Sequence, residues 1–211
     1  YIGSLPSKYQ SESYRNLEMD QPEGTVKKDI FIPLTVPKAT VVINYSADAK
    51  YNPAGYLSMD VLKGILDLVY TEKVREEQGG TYGVSLNAGS QKRPEEKATL
   101  LIAFECDPER ASELKNIIYS ELDAIAKNGP RQVDLEKTVS NLLKTREEAM
   151  QHNSYWANAV SSYYLNGIDI NDNRNYADIL NKLTVKKMKK VTKKFLSDAD
   201  LLELVFLPEK K

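Results

Sequence analysis

Apolar and polar positions change their period several times along the chain, and each change marks an element. In "IFIPLTV" (residues 30–36), Ile30, Ile32, Leu34 and Val36 share one face. That alternation predicts a half-buried strand, with Pro33 at an edge or a bulge. It returns over 39–47 in Val41, Ile43 and Tyr45. At "NPAG" (52–55) the period lengthens: Asn52 suits an N-cap and Pro53 the first helical position. Val61, Leu62, Ile65, Leu66 and Val69 follow at helical spacing, predicting a helix to about Gln78, with Gly79 as the left-handed residue that ends it. Tyr82, Val84, Leu86 and Ala88 then alternate with Thr81, Gly83, Ser85 and Asn87, so a strand begins. "QKRPEE" (91–96) reads as a turn, and Ala98, Leu100, Ile102, Phe104 and Cys106 as the inward face of the returning strand.

The second half is mostly helical. Asp107-Pro108 repeats the cap-and-proline signal, and Ala111, Leu114, Ile118, Leu122 and Ile125 form the stripe of a helix that stops at Gly129-Pro130. Further helices are predicted at about 131–151, 153–166, 173–182 and 185–197, and "LLELVFL" (201–207) as a last strand. The order ββαββ, several helices, then β predicts an α+β fold, one sheet with helices packed on one face. Residues 1–25 are polar and aperiodic and read as a linker, which leaves 26–211 as the domain.

Bulk properties narrow the function classes. Apolar residues make up 41% of the 211 and charged residues 28%, ordinary for a globular domain. A formal net charge of −1 gives no reason to expect nucleic acid or acidic membranes as partners. No run approaches the roughly 18–20 apolar residues of a membrane-spanning helix. One cysteine, Cys106, excludes an internal disulfide framework and assigns no compartment. "YIGSLPSKYQ" has neither an initiating Met nor a basic n-region and reads as a stretch from within a longer chain.

Candidate chemistry is sparse. The single histidine, His152, has no HxxEH or HExxH context and no thiolate cluster beside it, which excludes the usual His-based zinc sites and argues against the Ser-His-Asp and Cys-His hydrolase arrangements. No phosphate-binding glycine loop occurs. "KKMKKVTKK" (186–194) is the lysine-coated face of an amphipathic helix whose apolar members are Val185, Met188, Val191 and Phe195. Tyr155, Trp156, Tyr163 and Tyr164 are expected to pack in the core or to line a groove. "REEQGGTYGV" (75–84) is open to two readings. Arg75 in the last helical turn and Tyr82 at a strand start serve as a dipole partner and a packing residue. Alternatively, the Gly79-Gly80 reversal brings a guanidinium and a phenol towards one point, two donors suited to an oxyanion on a polarised carbonyl.

"REEQGGTYGVS", preceded by the helix "LSMDVLKGILDLVYTEKV" and followed by a strand pair and "DPERASELKNIIYSELDAIAKNG", resembles the insulinase/pitrilysin family of inverted-zincin metallopeptidases. The likeness covers about residues 26–207 and is narrower to the last domain of the long bacterial members. "YIGSLPS" resembles the close of the domain before it, and 8–25 the connection. The resemblance implies a C-terminal, non-zinc-binding domain of a zinc-dependent peptidase. It implies that Arg75 and Tyr82 contact the substrate carbonyl or the transition state, with Gly79 and Gly80 forming the turn between them. It also implies zinc in the N-terminal half of the parent protein and none in this fragment, which alone is inactive. The partners implied are the remaining domains of the same polypeptide and a peptide substrate, with no nucleic acid and no membrane insertion. The periplasm is open to a bacterial parent. The alternative is a homologue that has lost catalysis and acts as a structural or peptide-binding module. With one histidine available, the purified chain is expected to retain no stoichiometric zinc after dialysis, measured by atomic absorption on protein shown to be folded by circular dichroism.

Overall fold

The ten residues of β2 (Ala39–Asp48) place Val41, Ile43, Tyr45 and Ala47 on one buried face, and β4 (Lys97–Cys106) answers with Ala98, Leu100, Ile102, Phe104 and Cys106. The two pair antiparallel, with Ile43 opposite Ile102 and Tyr45 opposite Leu100. A computed structural model describes Ser4, Arg15, Leu17 and residues 22–34, 37–76 and 83–209, with the backbone alone at 75, 76, 170, 172 and 173. Around the β2–β4 pair stand β1 (Thr25–Ile32), β3 (Val84–Gln91) and β5 (Asp200–Pro208), in the order β1-β5-β2-β4-β3. The last strand thus enters between the first two, parallel to β1 and antiparallel to β2.

The helices are α1 (Pro53–Tyr70), α2 (Ala111–Asn128), α3 (Gln132–Ala149), α4 (Asn153–Asn166), α5 (Tyr176–Asn181) and α6 (Val185–Asp198). This is the expected α+β fold. Asn52 caps α1, its Oδ1 accepting from the Gly55 N–H at 2.8 Å. Gly129, at φ 87°, ends α2, and Gly167, at φ 63°, ends α4. The predicted amphipathic lysine helix is α6: Met188 and Phe195 are buried, and Thr184 caps it at 3.2 Å from the Lys187 N–H.

Four expectations need adjustment. The first strand is Thr25–Ile32 rather than 30–36: it stops before Pro33, which has no N–H for a ladder, and Leu34 is exposed. The helix expected to reach Gln78 is α-helical only to Tyr70 and continues as a π-helical turn, Thr71–Glu76. Asp107 makes no side-chain capping bond, because a 3₁₀ turn at Pro108–Arg110 precedes α2. The aromatics of α4 are not core: Trp156 is 48% exposed, Tyr163 47% and Tyr164 77%.

The core lies between the sheet and α1, α2 and α6, with α3 and α5 packed outside α1. The α1–α3 crossing is close because Gly64 faces Thr138: a Cβ on Gly64 would lie 2.5 Å from Thr138 Cγ2. The β-branched threonine has little rotamer freedom with which to yield. Gly64→Ala is therefore expected to lower stability by about 1–3 kcal/mol through overpacking, despite alanine's better helix propensity. In a Thr138→Ala background the clash is gone and the same change is expected to stabilise by about 1 kcal/mol. A double-mutant cycle by urea unfolding reads the difference, and additive effects would contradict the close crossing.

Candidate functional site

Residues at the C-terminal end of α1 are held from three directions. Tyr70 is buried, and its Oη donates to the Ile118 carbonyl of α2 at 3.1 Å. Val74 is fully buried in the core. Glu72 accepts from Arg131 Nη1 at 3.0 Å and Nη2 at 2.6 Å, while the same guanidinium donates from Nε to Asp134 Oδ2 at 2.6 Å. Asp134 is itself buried at the start of α3. The hydrogen bonds from Arg131 hold the Glu72 carboxyl below its ordinary range, and the two carboxylates hold the guanidinium above its own. Bidentate pairing of this kind fixes orientation as well as attracting.

This clamped turn carries the backbone of Arg75. The Arg75 side chain and Gly79, Gly80 and Tyr82 lie outside the described residues, so the convergence of the two donors is not described. Gly83 is exposed, and β3 begins at the next residue, with Leu86 and Ala88 facing inward as expected. The Glu72–Arg131–Asp134 clamp escaped the sequence reading. Its one local sign is the i, i+3 charge pair Arg131 and Asp134 behind Gly129-Pro130; the partner Glu72 is 59 residues away.

A second concentration of chemistry lies near the N-terminal end of α1. A cleft of about 290 Å³ is lined by Tyr51, Tyr56 and Asp60, by Arg146 of α3, Tyr155 of α4 and Tyr176 of α5. Tyr155 thus lines a groove, one of the two roles expected of it. The rings of Tyr51 and Tyr56 stand 6.3 Å apart and tilted by 49°. The Arg146 guanidinium carbon sits 4.0 Å from the Tyr176 ring centre and 6.0 Å from that of Tyr155. Burial pushes the Asp60 carboxyl up to about 6, against a smaller opposing pull from Lys63. Lys63 is bound instead to Asp67 Oδ2, at 2.7 Å. Burial, helped by the Asp60 charge, pushes the Tyr56 hydroxyl up to about 12.

The donor set does not fit zinc. Among the described residues no group of three or more His, Cys, Asp or Glu side chains could hold a metal ion. His152 is exposed at the start of α4, and the buried Cys106 thiol is pushed up to about 11 by burial, which makes it a poor thiolate ligand.

The sequence profile of the peptidase M16 inactive domain matches residues 1–142. The chain is 24% identical over 183 residues to a "zinc protease PQQL-like" protein of Arabidopsis thaliana, covering 78% of this chain and 18% of that protein. Its fold is similar to that of the periplasmic protease PqqL from Escherichia coli, with a TM-score of 0.81 and 20% identity, over 99% of this chain and 23% of that one. It is similar also to the ferredoxin protease FusC, solved with Arabidopsis ferredoxin, with a TM-score of 0.78 and 15% identity, over 100% and 23% of the two chains. The chain therefore spans less than a quarter of the length of these relatives.

The raised Asp60 carboxyl carries a stability consequence. Its folded value of about 6 exceeds the reference 3.8, so the native state binds the proton more tightly. The group's contribution improves as pH falls from about 6 towards 4, and its charge is a constant cost above that window. Asp60→Asn removes the cost. The variant is expected to be more stable by about 1–3 kcal/mol at pH 8 and to show no advantage at pH 4. Chemical denaturation at the two pH values measures this, and an equal difference at both would contradict it.

Proposed function

Because the chain belongs to the peptidase M16 inactive-domain family, we propose that it forms part of the substrate chamber of a zinc-dependent peptidase and meets the peptide backbone through Arg75 and Tyr82. The observation that carries this reading is the anchoring of the turn Thr71–Glu76. Val74 in the core and Glu72 on Arg131 fix the backbone on both sides of residue 73 and up to the residue before Arg75. Tyr82 precedes β3 by two residues in the sequence. Functional side chains need rigid elements behind them, and the turn Thr71–Glu76 and the strand β3 flank this segment in the sequence.

The chemistry asked of the pair is modest. A guanidinium and a phenol donate to a backbone carbonyl oxygen, and their bonds strengthen as negative charge grows on that oxygen in the tetrahedral transition state. In this reading residues 26–211 are the domain and 1–25 the end of a preceding domain with its connection. Zinc belongs to the N-terminal half of the parent protein. This fragment supplies substrate contacts and no metal ligand, and alone it cleaves nothing.

Tyr82→Phe in the full-length parent removes one donor and keeps the ring. The expected result is a fall in kcat of about 10²–10³ with little change in melting temperature. Arg75→Ala is expected to lower turnover comparably, or to raise KM if it mainly grips the substrate backbone. Peptide-cleavage kinetics and thermal melts on both variants are the measurement. Full activity in both would reduce the segment to a corner in the chain, and a parent inactive from the outset would favour a structural or peptide-binding module.

A further inference from the structure

Asp60 is a half-buried carboxylate on the wall of an open cleft, and no hydrogen bond or ion pair reaches it among the described residues. The nearest lysine on its own helix, Lys63, is bound to Asp67. Across the cleft, Arg146 is stacked on Tyr176. A carboxylate partly withdrawn from water without a counter-charge is costly, and such groups concentrate where a ligand completes them. Beside it, Tyr51 and Tyr56 add electron-rich ring faces that attract a cation.

The cleft also has the right size and outlet. Its volume of about 290 Å³ stands at the lower end of ligand sites, which run from about 300 to 1,000 Å³, and so suits one side chain better than a large molecule. It opens, across the shared residues Tyr51, Tyr56, Tyr155 and Ile168, into a second hollow of about 410 Å³. That hollow is bordered by Ser90 and Gln91 at the end of β3 and by Asn158 and Ser162 of α4. Its amides and hydroxyls suit the N–H and C=O groups of an extended backbone. The basic residues there are engaged, Lys92 with the Gly167 carbonyl at 2.7 Å and Arg93 with that of Leu165 at 3.0 Å.

We propose that this cleft binds the ammonium or guanidinium head of a lysine or arginine side chain on Asp60 and the Tyr51–Tyr56 pair, while the polypeptide carrying that side chain lies along the adjoining groove. The site is separate from the corner at Arg75. Asp60 precedes it by fifteen residues on the same helical path, about 20 Å at 1.5 Å per residue. It can therefore stand or fall independently of the role given to Arg75 and Tyr82.

The test titrates the 211-residue chain with the capped peptides Ala-Ala-Lys-Ala-Ala and Ala-Ala-Arg-Ala-Ala, and with counterparts carrying norleucine and citrulline, which keep the shape and lose the charge. Calorimetry and amide chemical shifts are the readouts. The charged peptides are expected to bind at least about tenfold more tightly, the usual margin for a charge-assisted contact. Signals from residues 90–91 and 158–162 are expected to move with them. Asp60→Asn, a near-isosteric change, is expected to bring the charged peptides to the level of the neutral ones. A thermal melt confirms that this variant is folded, and Tyr56→Leu is expected to weaken the preference in the same direction. Equal affinity for lysine and norleucine, an unchanged preference in Asp60→Asn, or no saturable binding of any peptide would overturn the proposal. Butylammonium binding as tightly as the lysine peptide would overturn the part that assigns the groove to a polypeptide.

Discussion

The burial of α1 is the constraint on which the rest of the domain depends. Val61, Leu62, Ile65 and Leu66 are all withdrawn completely from water, each worth about 1.5–3 kcal/mol. The helix leaves the end of β2 and returns at the start of β3, so it crosses the sheet from one rim to the other. One end of it therefore carries the clamped turn of Glu72 and Val74, and the other carries Asp60 and its tyrosines. Neither region could be displaced without moving the packed stripe between them. Gly64 adds a second restriction, because it fixes how near α3 approaches and hence where Arg131 and Arg146 stand on either flank.

Polar groups in this core are few and mostly answered. Glu203 of β5 is 3% exposed, yet Lys115 Nζ donates to it at 2.7 Å, the Tyr119 hydroxyl donates to it as well, and Lys27 lies 3.5 Å away. Those donors outweigh the cost of burial and hold its carboxyl below the ordinary range. Asp134 is answered by Arg131 in the same manner. Against these two carboxylates Asp60 stands apart: its partial burial raises it because no donor meets it. The contrast between Glu203 and Asp60 turns on hydrogen bonding more than on depth.

Much of this fold is legible in the sequence, and the legible part is local. Strands β2 and β4 follow from strict alternation, and α4 spans the 153–166 expected of it. Misreadings arise where two signals compete. Ile30 and Ile32 extend the alternation of β1, but Pro33 ends the ladder rather than interrupting it, and the strand's earlier half, "TVKKD", is too polar to announce itself. Nothing in "TEKVRE" predicts a π-helical turn, since its residues are ordinary helix formers. Tyr163 and Tyr164 suit a core or a groove wall in sequence, yet α4 lies outside the main packing and leaves them exposed. Both candidate regions stayed hidden for a further reason. They are assembled across long separations, Glu72 to Arg131 and Asp60 to Arg146 and Tyr176, and no pattern within one helix points to its partner.

The placement of β5 between β1 and β2 bears on how the chain is made. The Gly24 N–H donates to Asp200 Oδ1 across 176 residues, and among the described strands β1 pairs with β5 alone. During synthesis β1 therefore emerges well before β5, the strand it pairs with, and nearly the whole domain must follow before that pairing can form. The hairpin of β3 and β4 and the packing of α1 and α2 can form meanwhile, because their contacts lie closer in sequence. For that interval β1 lacks its β5 partner, with Phe31 and Ile32 at its end. The lysines at 27 and 28 give it charge that opposes pairing with other nascent chains.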